Sequence, residues 1–234
     1  MDIRATHRWD LDETEAARLQ SDLAAQIECA DRFGAVERIA GIDLGYEDAD
    51  RITRAAVVVL KFPELTLLDY KVVRKPTTFP YVPGYLSFRE VPAAIDALNA
   101  LSVDPQMLFC DGNGTIHPRR FGFACHLGLL ADLPCIGVAK NRFIGSHEPL
   151  PETQGAWQPI IDHGETIGAV VRSRAGVKPI YVSTGHRVSL ESAIRLTLQC
   201  CRGFRQPDTT RWSHRVASGP PLESDNLGIG STLL

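Results

Sequence analysis

A chain of 234 residues, 44% of them hydrophobic, is long enough for one domain with a sizeable core. Its formal net charge of −3 rules out an overall polycation, and no apolar run is long enough to cross a bilayer. The charged start Met1-Asp-Ile-Arg4 carries no apolar signal region, which predicts a cytoplasmic protein. The six cysteines form no Cys-x-x-Cys pair and sit mostly in apolar stretches, which argues for reduced thiols and against zinc or disulfides. Charge is unevenly spread. Residues 1–110 hold 12 Lys+Arg against 18 Asp+Glu, and residues 111–234 hold 13 against 10. The second half could face phosphates, although a solvated surface would look the same.

In chain order, residues 12–33 predict a helix. Asp12-x-x-Glu15 has the form of a capping box, Leu19, Leu23 and Ile27 repeat every fourth residue, and Gly34 is a stop. Three strand-like runs follow, at 38–44, 52–61 and 65–74, with turn-like joints that suggest an antiparallel meander. Pro76, Pro80, Pro83 and Gly84 break the pattern before a short helix from Pro92 to Leu101. Strand 107–111, helix 121–131 and strand 134–139 then alternate, which argues for parallel, doubly covered strands. Strands at 166–172 and 179–183 and a helix from Ser189 to Cys201 complete the list of elements. This order predicts an α/β, ribonuclease H-like mixed sheet: a three-strand antiparallel meander plus parallel strands, flanked by helices. Residues 1–218 are expected to form a single domain, and 219–234, rich in Gly, Pro and Ser, a flexible tail.

Three acids stand out. Asp43 ends the apolar run Ile39-Ala-Gly-Ile-Asp43, and Asp111 ends Met107-Leu-Phe-Cys-Asp111. In the expected fold these two would end neighbouring strands, where carboxylates need a partner and could hold a hard cation. Glu90 would be a third ligand or would order a water. Turn chemistry alone accounts for an Asp before Gly, and Ser87-x-x-Glu90 could be a helix-capping box. Gly41-Ile-Asp-Leu-Gly45 and Asp111-Gly-Asn-Gly-Thr115 also resemble the phosphate loops of actin/Hsp70-like ATPases. That family needs two such halves around one nucleotide, more than 234 residues can supply. The stiff segment Phe79-Pro-Tyr-Val-Pro-Gly-Tyr85 could hold Tyr81 out as a wedge between bases, or serve as an apolar plug.

Six segments together resemble the endonuclease V family, the deoxyinosine-directed repair nucleases. They are 40–46, Pro80-Tyr-Val-Pro-Gly-Tyr-Leu-Ser-Phe-Arg-Glu90, Asp111-Gly-Asn-Gly-Thr-Ile-His-Pro-Arg-Arg120, 136–140, 183–189 and 205–211, in the family's order. The resemblance implies a ribonuclease H-like, Mg²⁺-dependent enzyme, with Mn²⁺ able to substitute. It would nick DNA at the second phosphodiester 3′ to a deaminated adenine, leave 3′-hydroxyl and 5′-phosphate, and keep the base. It assigns Asp43 and Asp111 to the metal, and adds Glu90, Lys140 and His214 to the catalytic group. Pro80, Tyr81, Val82 and Pro83 would form the wedge. Backbone at Gly84, Leu86, Gly112 and Gly122 would line a hypoxanthine pocket, and His117, Arg119 and Arg120 would touch DNA or the site edge. The implied partner is single- or double-stranded DNA with deoxyinosine, the implied state a monomer, and no membrane is involved. Most members carry His where Asn113 stands, and Asn cannot carry a proton at neutral pH. Gln206 and Thr209 also replace the usual Leu and Pro. Two further readings remain: a relative that prefers inosine in RNA, and a non-cleaving nucleic-acid-binding module.

Overall fold

The computed structural model describes residues 1–219, so the tail expected from Gly219 onward lies almost entirely outside the described residues. Thirteen elements run in the order α1 Glu13–Ala24, β1 Arg38–Glu47, β2 Ile52–Lys61, β3 Thr66–Pro76, α2 Leu86–Asn99, β4 Met107–Asp111, α3 Phe123–Ala131, β5 Cys135–Ala139, β6 Trp157–Asp162, β7 Glu165–Val171, β8 Ile180–His186, α4 Leu190–Gln199 and α5 Asp208–Ser218. The strands form one mixed sheet ordered β3-β2-β1-β4-β5-β8-β7-β6. β1 to β3 make the expected meander, and β4 and β5 run parallel to β1. β8 then reverses direction against β5.

Burial on both faces explains why the central strands read as unbroken apolar runs. One face packs Ala40, Ile42, Val57 and Leu108 against α2 and α3. The other packs Ile39, Val58, Phe109 and Val138 against α4 and α5. Consecutive residues of each strand thus feed opposite cores.

Several boundaries differ from expectation. α1 stops at Ala24, because the chain beyond it is captured by main-chain bonds between Glu28, Arg32 and Arg187. α2 begins six residues early and carries Pro92 in its interior. Burial of Ser87 through Val91 outweighs the backbone bond that proline removes. β6 and α5 have no counterpart among the expected elements. β6 breaks its apolar pattern with Pro159 and a register shift, so period-two alternation is absent. α5 is built on polar and β-branched residues and is held by buried Trp212 and Val216 rather than by propensity. The helix is therefore a tertiary product.

Candidate active site

The parallel ladder between β1 and β4 ends at the pair Ile42 and Cys110. Asp43 and Asp111 are the next residue on each strand, which makes the two acids neighbours as expected. One detail is corrected: Asp43 does not end its strand, since β1 continues to Glu47 along β2. Asp43 instead marks where the β1–β4 ladder lets go. α5 lies against this point at very short range, because a Cβ on Gly41 would fall 2.0 Å from the Thr209 carbonyl oxygen. That approach brings His214 to the acids, and its Nδ1 donates to Asp43 Oδ2 at 2.7 Å.

Ligating atoms of Asp43, Asp111 and His214 all lie within 4.8 Å of one another. Lys140 Nζ sits 2.6 Å from Asp111 Oδ2, yet without the angle of a hydrogen bond, so this buried oxygen has no directed donor among the described residues. An acceptor with a charge beside it and no hydrogen bond is suited to a cation. Burial and the nearby Asp111 push the Asp43 carboxyl up, and His214 pulls it back. A divalent ion would relieve the repulsion between the two acids.

Glu90 faces the same point from the second turn of α2. It is not the capping residue that Ser87-x-x-Glu90 allowed. The N-cap is Tyr85, which makes no side-chain cap bond. Glu90 Oε1 instead accepts from the Tyr46 hydroxyl at 2.8 Å. Burial raises its pKa to about 8, against the Tyr46 bond and with help from Asp43 and Asp111. Arg89 covers the Tyr46 ring, its guanidinium carbon 4.3 Å from the centroid, and pairs with Asp50. Tyr46 and Arg89 were missed as supports for Glu90. Tyr46 closes the first matched segment, but nothing in the sequence shows which acid it meets.

A cavity of about 190 Å³ opens beside the acids. Gly84, Leu86 and Gly122 line it, together with Ser87, Asn113, Phe123 and Phe143. Gly112 stands behind the wall, where an added Cβ would be 3.5 Å from the Phe123 ring. Tyr81, 69% exposed, and its neighbours Val82 and Pro83 border the opening, with Pro80 exposed beside them.

A family model described as Endonuclease V matches residues 21–215. The chain belongs to the endonuclease V family. An Endonuclease V of Roseiflexus castenholzii is 51% identical over 214 residues, covering 92% of this chain and 96% of the relative. The Endonuclease V structure from Streptomyces avermitilis has a TM-score of 0.86 at 38% identity, covering 93% of this chain and 96% of that one. A Ciona intestinalis Endonuclease V, solved with DNA containing an inosine followed by a ribo-adenosine, has a TM-score of 0.78 at 28% identity. It covers 88% of this chain and 97% of that one.

Within this endonuclease V site the three expected DNA contacts have internal partners. His117 is buried, and its Nε2 donates to the Gly84 carbonyl at 2.9 Å while Nδ1 accepts from the Arg119 amide. Burial lowers its pKa to about 4, so the ring is neutral. Arg119 donates to the same carbonyl and to Gln20, and lies over Tyr85. Gly84 thus holds a left-handed φ of 87° with its carbonyl fully engaged. Arg120 pairs with Asp162 and Glu165.

Proposed function

We propose that this protein is a metal-dependent repair endonuclease that takes a deaminated purine out of the DNA stack and cuts the same strand nearby. The carrying observation is that cavity and acids share two segments. One turn of α2 separates Ser87, in the cavity, from Glu90, at the acids. One residue, Gly112, separates Asp111 from Asn113, which lines the cavity. A base seated in the cavity would fix its own backbone relative to the acids.

Asp43 and Asp111 would hold Mg²⁺, whose preference for oxygen they meet, and His214 would favour Mn²⁺ as a substitute. The ion, when bound, would act as a Lewis acid at the phosphodiester and lower the pKa of a bound water. Lys140 supplies a fixed positive charge for the phosphate. Glu90, held by Tyr46, orients the attacking water, and His214 keeps Asp43 in place. The P–O3′ bond at the second phosphodiester 3′ to the lesion breaks, leaving 3′-hydroxyl and 5′-phosphate. Tyr81, with Pro80, Val82 and Pro83, fills the gap in the stack. Asn113 stands where most relatives have His, and nothing in this scheme needs a proton there. The enzyme works as a monomer in the cytoplasm. Its free thiols and its few exposed large hydrophobics among the described residues suit that state.

The ribo-adenosine in the Ciona complex supports a second substrate, inosine in RNA. An end-labelled duplex with one deoxyinosine, incubated with Mg²⁺ beside an unmodified duplex and an inosine RNA, tests both. Nicking is expected only at inosine, and chelator or Asp43→Ala should abolish it. Equal cutting of damaged and intact duplex would overturn the proposal.

A further inference from the structure

A chain of hydrogen bonds runs from the protein surface to the cavity floor. His7 Nδ1 meets the Arg8 carbonyl at 2.9 Å, His7 Nε2 meets His126 Nε2 at 2.8 Å, and His126 Nδ1 meets Ser87 Oγ at 3.0 Å. His126 is fully buried among Trp9, Phe88 and Phe121, with no charged side chain against it except His7 when protonated. Burial keeps His126 neutral. A carbonyl can only accept, so for a His7 ring that holds a single proton it fixes the direction of every bond in the chain. That proton sits on Nδ1, and His7 Nε2 accepts. His126 then donates from Nε2 and accepts at Nδ1. Ser87 must give its only hydrogen to His126.

Ser87, which lines the cavity, therefore has lone pairs alone left to offer there. The first turn of α2 supplies the opposite character there. Tyr85 gives no side-chain cap, which leaves the amides of Leu86 and Ser87 without intrahelical acceptors. One acceptor beside amide donors complements the N1–H and O6 edge of hypoxanthine, whose N1–H is the base's only N–H donor. Adenine reverses both groups, with an acceptor at N1 and donors at N6.

We propose that Ser87 is a specificity-determining residue that reads the ring N–H of the deaminated purine, with His126 and His7 as positioning residues that hold it as an acceptor. This rests on the reading of the cavity as the base pocket. The arrangement explains why a serine in the first turn of a helix is spent on a buried histidine rather than on a cap. It also gives the N-terminal segment carrying His7 a part in base choice.

The test compares single-turnover nicking of duplexes carrying one hypoxanthine or one unsubstituted purine, which lacks N1–H. Ser87→Ala should narrow the hypoxanthine-to-purine ratio about tenfold, the scale of one neutral hydrogen bond. His126→Phe, which frees the Ser87 hydrogen to turn into the cavity, should narrow it similarly. His126→Gln, whose amide oxygen accepts the same hydrogen, should restore much of the ratio. Such a rescue would not follow from a purely packing role, and thermal melting shows whether each variant is folded. An unchanged ratio in Ser87→Ala overturns the proposal, and a change in Ser87→Ala without one in a folded His126→Phe overturns the positioning chain. Leu86→Trp, which fills the cavity, separates the two readings. Loss of lesion nicking there with an unchanged Ser87→Ala ratio rejects only the acceptor. Intact lesion nicking in folded Leu86→Trp rejects the pocket itself.

Discussion

Tyr46 shows how a neighbour tunes an acid at the scale of one hydrogen bond. Its hydroxyl donates to Glu90 and Arg89 lies over its ring, so Glu90 has one fixed orientation in a buried place. Tyr46→Phe removes the donor and keeps the ring. Leaving a buried acceptor without its donor costs about 1–3 kcal/mol, so the single-turnover rate should fall roughly fivefold to a hundredfold. Binding of the lesion duplex should be unchanged, and a parallel fall in binding would make Tyr46 part of the DNA surface. His117 gives the matching case for stability. Its folded pKa of about 4 lies below the ordinary value of about 6.5, so between these values the unfolded chain binds more protons. Stability from this group is full above pH 6.5 and is lost as pH falls toward 4. Between pH 7 and pH 5 the loss is about 2 kcal/mol. His117→Gln keeps a donor for the Gly84 carbonyl and cannot titrate. Urea unfolding at the two pH values should show a difference smaller by about that amount, and an identical difference would show that His117 is not the buried group responsible.

Among the elements, β1 and α5 depend on each other through one glycine. A Cβ on Gly41 would meet Thr209 backbone at 2.0 Å, and neither side can yield without moving α5. Gly41→Ala should therefore cost about 1–3 kcal/mol or more, read as a drop in thermal midpoint. It should also cut nicking by more than the loss of folded protein explains, because α5 carries His214. A variant of normal stability and activity would show that α5 can slide freely. This contact also marks the limit of what the chain discloses in one dimension. The parallel pair and the two strand acids were legible because burial on both faces leaves continuous apolar runs that stop at Asp43 and Asp111, and the meander because its joints are short and turn-like. α5 was not, because its residues favour a helix only when Trp212 and Val216 have a core to enter. The start of α2 was hidden for a related reason: prolines at 80 and 83 read as breaks and Pro92 as the first turn of a helix, while the burial of Phe88 and Glu90 is set by the sheet below. Tyr46 reaches Glu90 across 44 residues, a distance that no local pattern encodes.

The charge asymmetry of the whole molecule changes meaning once the pairs are known. Much of the positive excess after residue 110 is used internally: Arg120 with Asp162 and Glu165, Arg172 with Glu152, Arg187 with Glu28 and Asp132, and Arg211 with Asp208. Counting basic residues therefore overstates the surface left for phosphates. Arg142 is different. It is exposed, follows Lys140 by two residues and precedes Phe143 at the cavity, and none of the ion pairs among the described residues includes it. Such a side chain serves the DNA backbone without reading the base. Arg142→Ala should weaken binding to lesion and intact duplex by the same factor. The slope of log affinity against log salt should become shallower by about 0.9, the effect of one phosphate contact. Fluorescence anisotropy across a salt series measures both quantities. A loss confined to the inosine duplex would move Arg142 into base recognition, and an unchanged slope would remove it from the DNA path.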